Sequence, residues 1–257
     1  MSRTSAGSPA SSETPLHGGM AALRYEEWMR IADEEYHRLL GLLGQLEAAE
    51  WAAPTDCEGW DVRAMVSHLA GGAQAVTSLR ELLRQQRGSA AFLPGADTID
   101  RVNAFQVSER DGWRPSELLE ELAEVAPRAV RARTRMPRAL RAARLPFGPP
   151  LGTKPLGYLV GRILTRDVWL HRVDLCRATG RDLVLTGDHD ARLVDDVVAE
   201  WARLHGQPVA LTLTGPAGGH WEQGSSGERL EFDAVEFCRI LSGRAEGQGL
   251  LATRVNF

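Results

Sequence analysis

The sequence predicts a mainly α protein, a four-helix bundle followed by a small α+β C-terminal domain. Three observations carry that prediction. Apolar residues recur at helical spacing from position 20 to 185, and Pro and Gly interrupt them where turns belong. Beyond residue 185 the texture changes to short alternating runs. The expected division is a disordered leader at 1–19, a helical bundle at 20–185 and the α+β domain at 186–257.

Each element follows from its own residues. The leader, MSRTSAGSPASSETPLHGG, is rich in Ser, Gly, Pro and Thr and lacks the apolar run of a signal peptide or membrane span. From Met20 to about Glu50, Leu23, Ile31, Leu39, Leu40, Leu42, Leu43 and Leu46 give a long amphipathic helix. WAAPTDCEGW breaks the pattern, and Asp61 stands as the N-cap of a second helix carrying Val62, Met65, Val66, Leu69 and Val76. Two further helical segments, at 97–110 and 116–135, are separated by Gly112 and Pro115, a residue suited to a first helical turn. LPFGPPLGTKP reads as a loop; Pro155 then opens a helix that runs to about Thr179 and stops at Gly180. HDARLVDDVVAEWARLHG gives one more helix. PVALTLTG alternates as a strand does, GHWEQG and ERLEF read as short strands, AVEFCRILSGR as a helix ended at Gly243, and LLATRVNF as a closing strand.

Composition narrows the function. A net charge of -4 and a pI near 6.0 argue against a nucleic-acid partner, whose phosphates demand a basic surface. A small molecule fits better. The three cysteines, Cys57, Cys176 and Cys238, form no disulfide framework and no metal-type C-x-x-C pair, which places the chain in the reducing cytoplasm. Lys154 is the only lysine, an arginine preference that fits a high-GC bacterium.

Chemistry concentrates in three residues. Asp167 and His171 stand four apart on one predicted helix, so they project from one face. His68, in MVSHLAGG, sits among apolar and small residues that turn it toward the bundle interior. Two imidazoles and a carboxylate leave a coordination position open, the pattern of a catalytic zinc site, and the set also suits non-haem iron(II). The plainer alternatives are a core histidine bonded to a carbonyl and a surface Asp–His pair.

The stretch from Trp51 to His68, with its W-x2-P-T-x-C-x-G-W-x-V-x5-H spacing, resembles the signature of the mycothiol-dependent maleylpyruvate isomerase family, a branch of the DinB-like helical bundles. TRDVWLHRVDLCRATGR resembles that family's later metal-binding helix, and LTGPAGGHWEQG with FCRILSGR its small C-terminal domain. The resemblance implies a divalent metal, zinc first, held by His68, Asp167 and His171, with mycothiol, the low-molecular-weight thiol of actinobacteria, as co-substrate. It also implies that Arg244, in LSGR, reaches the active site; helix-end bonding is the alternative reading. The founding isomerases carry Glu where this chain has Asp167.

The implied function is a mycothiol S-transferase or thiol-dependent isomerase acting on a small electrophile. Competing readings are a metal- or thiol-binding sensor and a zinc hydrolase that activates water. Either a monomer or a homodimer is compatible with the sequence. Asp174 reads either as an acceptor orienting a neighbour or as a solvated acid. Trp51, Trp60 and Trp169 read as core and loop packing, Trp60 also as a residue of a pocket mouth. Cys57 and Cys176 read as small buried residues. Seven arginines between Arg128 and Arg144 read as a solvated face, with anion binding as the sharper alternative.

Overall fold

A computed structural model describes residues 16–148 and 151–257. The chain divides into two compact units, Ala22–Leu185 with Asn256–Phe257, and the segment ending at Ala21 with Thr186–Val255. The fold class is the one expected, mainly helical with a small sheet. Residues 1–15 of the expected leader lie outside the described residues. Its next two, Leu16–His17, form a strand, β1, rather than a leader.

The larger unit is helical. Helix α1 (Tyr25–Leu43) is shorter than the periodicity suggests. Glu27 accepts from the Arg24 N–H at 2.9 Å and so closes the N-terminus. At the other end, the Glu50 carboxylate draws the Glu47 N–H into the next turn, leading to a 3-10 turn at Glu50–Ala52. Helix α2 (Val62–Ala75) begins at Asp61, whose carboxylate accepts from the Ala64 N–H at 2.8 Å. Helix α3 (Leu79–Gly88), capped by Ser78, has no counterpart in the sequence reading. Its Leu79, Leu82 and Leu83 are exposed, so no buried stripe marks it. Helices α4 (Thr98–Ser108) and α5 (Pro115–Thr134) follow, with Pro115 in the first turn as expected.

The stretch LPFGPPLGTKP, expected as a loop, forms a hairpin at its two ends: after α6 (Arg138–Ala142), β2 (Arg144–Pro146) pairs antiparallel with β3 (Thr153–Pro155). The predicted helix after Pro155 opens instead on a π turn, Tyr158–Ile163, before α7 (Leu164–Thr179). A π turn frees carbonyls from the α ladder, and the fully buried Arg133 of α5 donates to Val160 O at 2.5 Å and Thr165 Oγ1 at 2.7 Å. Helix α1 packs on α5 and α7, and α2 packs on α4, α5 and α7. Their shared core includes Leu39, Leu43, Met65, Leu69, Leu118, Leu122, Trp169 and Leu170. Each such leucine contributes about 1.5–3 kcal/mol by leaving water.

The smaller unit holds α8 (Asp190–His205), then β4 (Val209–Thr214), β5 (Gly219–Gln223), β6 (Glu228–Asp233) and α9 (Ala234–Ser242). The sheet order is β1-β5-β4-β6, with β4 antiparallel to β5 and parallel to β6. Val209, Leu211 and Leu213 alternate inward, as PVALTLTG requires. The closing strand expected at LLATRVNF is not formed: Gly249–Ala252 is a 3-10 turn. Arg254 then caps the end of α9 by donating to Ile240 O.

Candidate metal centre

The site begins with two helices in contact. His68 is the seventh residue of α2, and α7 carries Asp167 and His171 on one face. His68 and His171 are 7% and 5% exposed, whereas the Asp167 side chain keeps 26% of its surface open. His68 Nε2 stands 3.5 Å from Asp167 Oδ2, and His171 Nε2 stands 3.4 Å from Asp167 Oδ1. The imidazoles meet edge to face with centroids 5.3 Å apart. The three residues offer ligand atoms that all lie within 4.8 Å of one another.

These separations suit one ion. Atoms about 2.1 Å from a tetrahedral metal lie about 3.4 Å from each other. The hydrogen bonds on the far side of each ring point the same way. His171 Nδ1 lies 3.0 Å from Asp174 Oδ2, and His68 Nδ1 lies 3.0 Å from Gln106 Oε1. A carboxylate oxygen and an amide oxygen accept only, so each Nδ1 carries the hydrogen and each Nε2 turns a lone pair inward. Two lone pairs and a carboxylate converging on one point need a positive charge between them. Without a metal, a proton supplies it: burial opposes charging of His171, but Asp167 and Asp174 outweigh burial and hold the imidazole well above its ordinary value. Burial likewise disfavours the Asp167 anion, yet His171 and His68 hold its carboxyl well below the usual carboxylate range. The donor set therefore fits a divalent cation.

The loop before α2 shapes the mouth of the site. Thr55 donates its N–H and its hydroxyl to Trp60 O at 3.0 and 2.9 Å, and Gly59 takes the left-handed φ of +78° that the tight return requires. Trp60 is thereby held with its ring centroid 5.1 Å from His68 and 6.2 Å from His171. Cys57 is half-buried rather than a core residue: its Sγ lies 3.9 Å from Asp174 Oδ2. Asp174 is fully buried, which rules out the solvated acid and leaves the orienting acceptor.

Arg244 follows the left-handed Gly243 at the end of α9, and its N–H bonds Arg239 O at 3.0 Å. Trp51 and Trp169 are buried in the helical unit. Of the arginine run, Arg128, Arg131, Arg135, Arg138 and Arg144 are exposed as expected, but Arg133 is fully buried and Arg141 stacks 3.9 Å over the Tyr25 ring. Gln106 and Gln85, which stand behind His68, escaped sequence reasoning. Glutamine has no motif signature.

A family model described as the mycothiol maleylpyruvate isomerase N-terminal domain matches residues 32–176, more than half of the chain and the span that holds all three converging side chains. Two uncharacterized proteins of Mycobacterium tuberculosis, from strains CDC 1551 and H37Rv, are each 24% identical over 221 residues, covering 79% of this chain and 79% of theirs. Two crystal structures share the fold at 19% identity, covering 88% of this chain and 93% of each: a mycothiol-dependent maleylpyruvate isomerase, TM-score 0.58, and a histidine-to-alanine mutant of it, TM-score 0.59.

Proposed function

Because the chain belongs to the mycothiol maleylpyruvate isomerase family, we propose that it is a metal-dependent enzyme that activates mycothiol toward a small electrophile. His68, Asp167 and His171 hold the ion in this reading. When bound, a divalent ion such as zinc lowers the pKa of a thiol from about 8.5, so that the thiolate prevails at neutral pH. The observation that supports the reading best is the pair of imidazoles whose Nδ1 atoms are both committed to acceptors, so that both Nε2 atoms face Asp167 and each can give a lone pair once no proton occupies it.

The chain's own residues do the rest. Asp174 and Gln106 fix the rings, so no reorientation is needed when the thiol arrives. Asp167, the most open of the three, faces the incoming group. Trp60 covers the imidazoles and limits water at the place where sulfur must stay unhydrated. The thiolate adds to one carbon of an electron-poor double bond: the carbon–sulfur bond forms as the π bond breaks, and that electron pair moves onto the conjugated acceptor as an enolate. If the enolate takes a proton from solvent and the adduct is released, the outcome is S-transfer; if it expels the thiolate again after rotation about the former double bond, the outcome is cis/trans isomerisation. The reading favours S-transfer, since no dicarboxylate pocket is marked among the described residues of the helical unit.

No helix among the described residues is long and apolar enough to cross a membrane. That is compatible with the cytoplasmic, thiol-rich setting the reading requires. The test is metal analysis of purified wild type, His68→Ala and His171→Ala, with consumption of free mycothiol measured against a panel of electrophiles. One zinc per chain in the wild type, lost in both variants, with thiol consumed only by the loaded protein, is the expected outcome. Zinc present with ester or amide hydrolysis and no thiol consumed would replace the transferase by the hydrolase; no stoichiometric metal would remove the centre.

A further inference from the structure

We propose that Gln106 and Gln85 form an amide relay that sets the tautomer of His68 and thereby turns its Nε2 lone pair toward Asp167 and His171. The proposal rests on the metal-centre reading for its consequence, though not for its geometry.

The relay starts at groups whose hydrogen-bonding sense cannot change. Gln85 Nε2 lies 3.0 Å from Gly71 O and 3.1 Å from Glu81 Oε1, two acceptors with no hydrogen to give. Turning this amide over would set its oxygen against both of them, so the NH2 end must face them. Gln85 Oε1 then faces outward and accepts from Gln106 Nε2 at 2.9 Å. That orients the second amide in turn, and Gln106 Oε1 is the end left for His68 Nδ1, at 3.0 Å. Each link fixes the next. Gln85 is fully buried and Gln106 is 3% exposed, so water does not offer either amide an alternative partner.

The backbone around the relay is built to hold it. Arg110, 3% exposed, donates from Nη1 to Gln106 O at 3.0 Å and is itself clamped by Glu121 at 2.5 and 2.7 Å. Gly71 lies three residues beyond His68, on the same side of α2. A Cβ there would stand 2.6 Å from Gln106 Cβ and Cγ, so only a glycine lets α4 bring this side chain close enough. The same residue supplies the carbonyl on which the relay ends.

Gln106 and Gln85 are therefore positioning residues acting through His68. The experiment reads the tautomer directly, from the ring nitrogen shifts of neutral His68 in 15N-labelled, metal-free protein, with His68→Gln used only for assignment. Wild type is expected to carry the hydrogen on Nδ1. Gln106→Leu removes the acceptor, and Gln85→Leu frees the Gln106 amide to turn over; both are expected to shift His68 to the Nε2–H form or a mixture. Gln106→Glu, as the neutral acid with its O–H donating to Gln85 Oε1 and its C=O accepting from His68, keeps both links and should keep the Nδ1–H form. Zinc affinity by chelator competition should fall about tenfold in the two Leu variants and stay within about twofold of wild type in Gln106→Glu. An Nε2–H wild type would overturn the relay, and needs no variant to fold. So would Leu variants with an Nδ1–H ring and unchanged zinc affinity. If none of the proteins binds zinc, the metal-centre reading fails, while the spectra still decide the relay.

Discussion

The two imidazoles of the centre are held by unlike means. His171 leans on Asp174, three residues on in its own helix, a fully buried carboxylate at 3.0 Å. His68 leans on a neutral amide from α4, itself held by a second amide from α3. One support is charged and local, the other neutral and assembled across three helices. The α7 half can therefore form with its helix, whereas the α2 half forms only when α2, α3 and α4 have packed. A charged acceptor also makes its imidazole the more basic ligand.

The largest expected effect comes from removing the charged support. Asp174→Ala leaves the buried Nδ1–H of His171 without its carboxylate and lets the ring rotate. Zinc affinity, measured by chelator competition, should fall about 100-fold, against about tenfold for Gln106→Leu. Equal losses in the two variants would break the comparison, because charge would then add nothing to orientation.

How much of this was legible differs between the halves for the same reason. Asp167, His171 and Asp174 are spaced by four and three on one periodic helix, so their shared face follows from helix geometry. Asp61 as a cap, Pro115 in a first turn and the alternation of Val209, Leu211 and Leu213 are likewise local signals. The link from His68 to α7 came from resemblance, since spacing says nothing about which helices touch. Gln85 belongs to a helix whose leucines face out, and Gln106 to one of weak amphipathicity. Without a buried stripe to phase α3, nothing in the chain shows that its glutamine points inward. The π turn before α7 was invisible for a related reason: its freed carbonyls are satisfied by Arg133, about thirty residues away in sequence.

The second effect is on pH. His171 is the half of the centre that a proton contests, because burial, which opposes its charge, is outweighed by Asp167 and Asp174. Binding a metal must displace that proton. Below the raised His171 value, zinc affinity should fall about tenfold for each unit of pH; above it, affinity should level off. Stability of the metal-free protein runs the other way. The contribution of a raised histidine is complete below its unfolded value and is lost as pH rises through the folded one. Asp167, depressed, keeps its contribution above the ordinary carboxylate range and loses it as pH falls. Thermal unfolding of metal-free protein should therefore weaken at the alkaline pH where zinc binding is strongest. In Asp174→Asn the alkaline loss should move to lower pH. An unmoved curve would separate the His171 proton from Asp174.

The smallest effect tests the neutral half through its packing. Gly71→Ala adds a methyl 2.6 Å from Gln106 Cβ and Cγ and 3.2 Å from Arg110 Nη1, so α4 has to give way. Overpacking costs about 1–3 kcal/mol, and replacing a helical glycine by alanine returns up to about 1 kcal/mol. The net loss should be about 1 kcal/mol in thermal unfolding, with zinc affinity lowered by less than tenfold because the Gly71 carbonyl still anchors Gln85. Gly72 is the control beside it: a Cβ there meets nothing within 4 Å, so Gly72→Ala should raise stability and leave zinc binding alone. If the two variants behaved alike, the close approach of α4 to α2 would not be what holds Gln106, and the distinction between the two halves would rest on Asp174 alone.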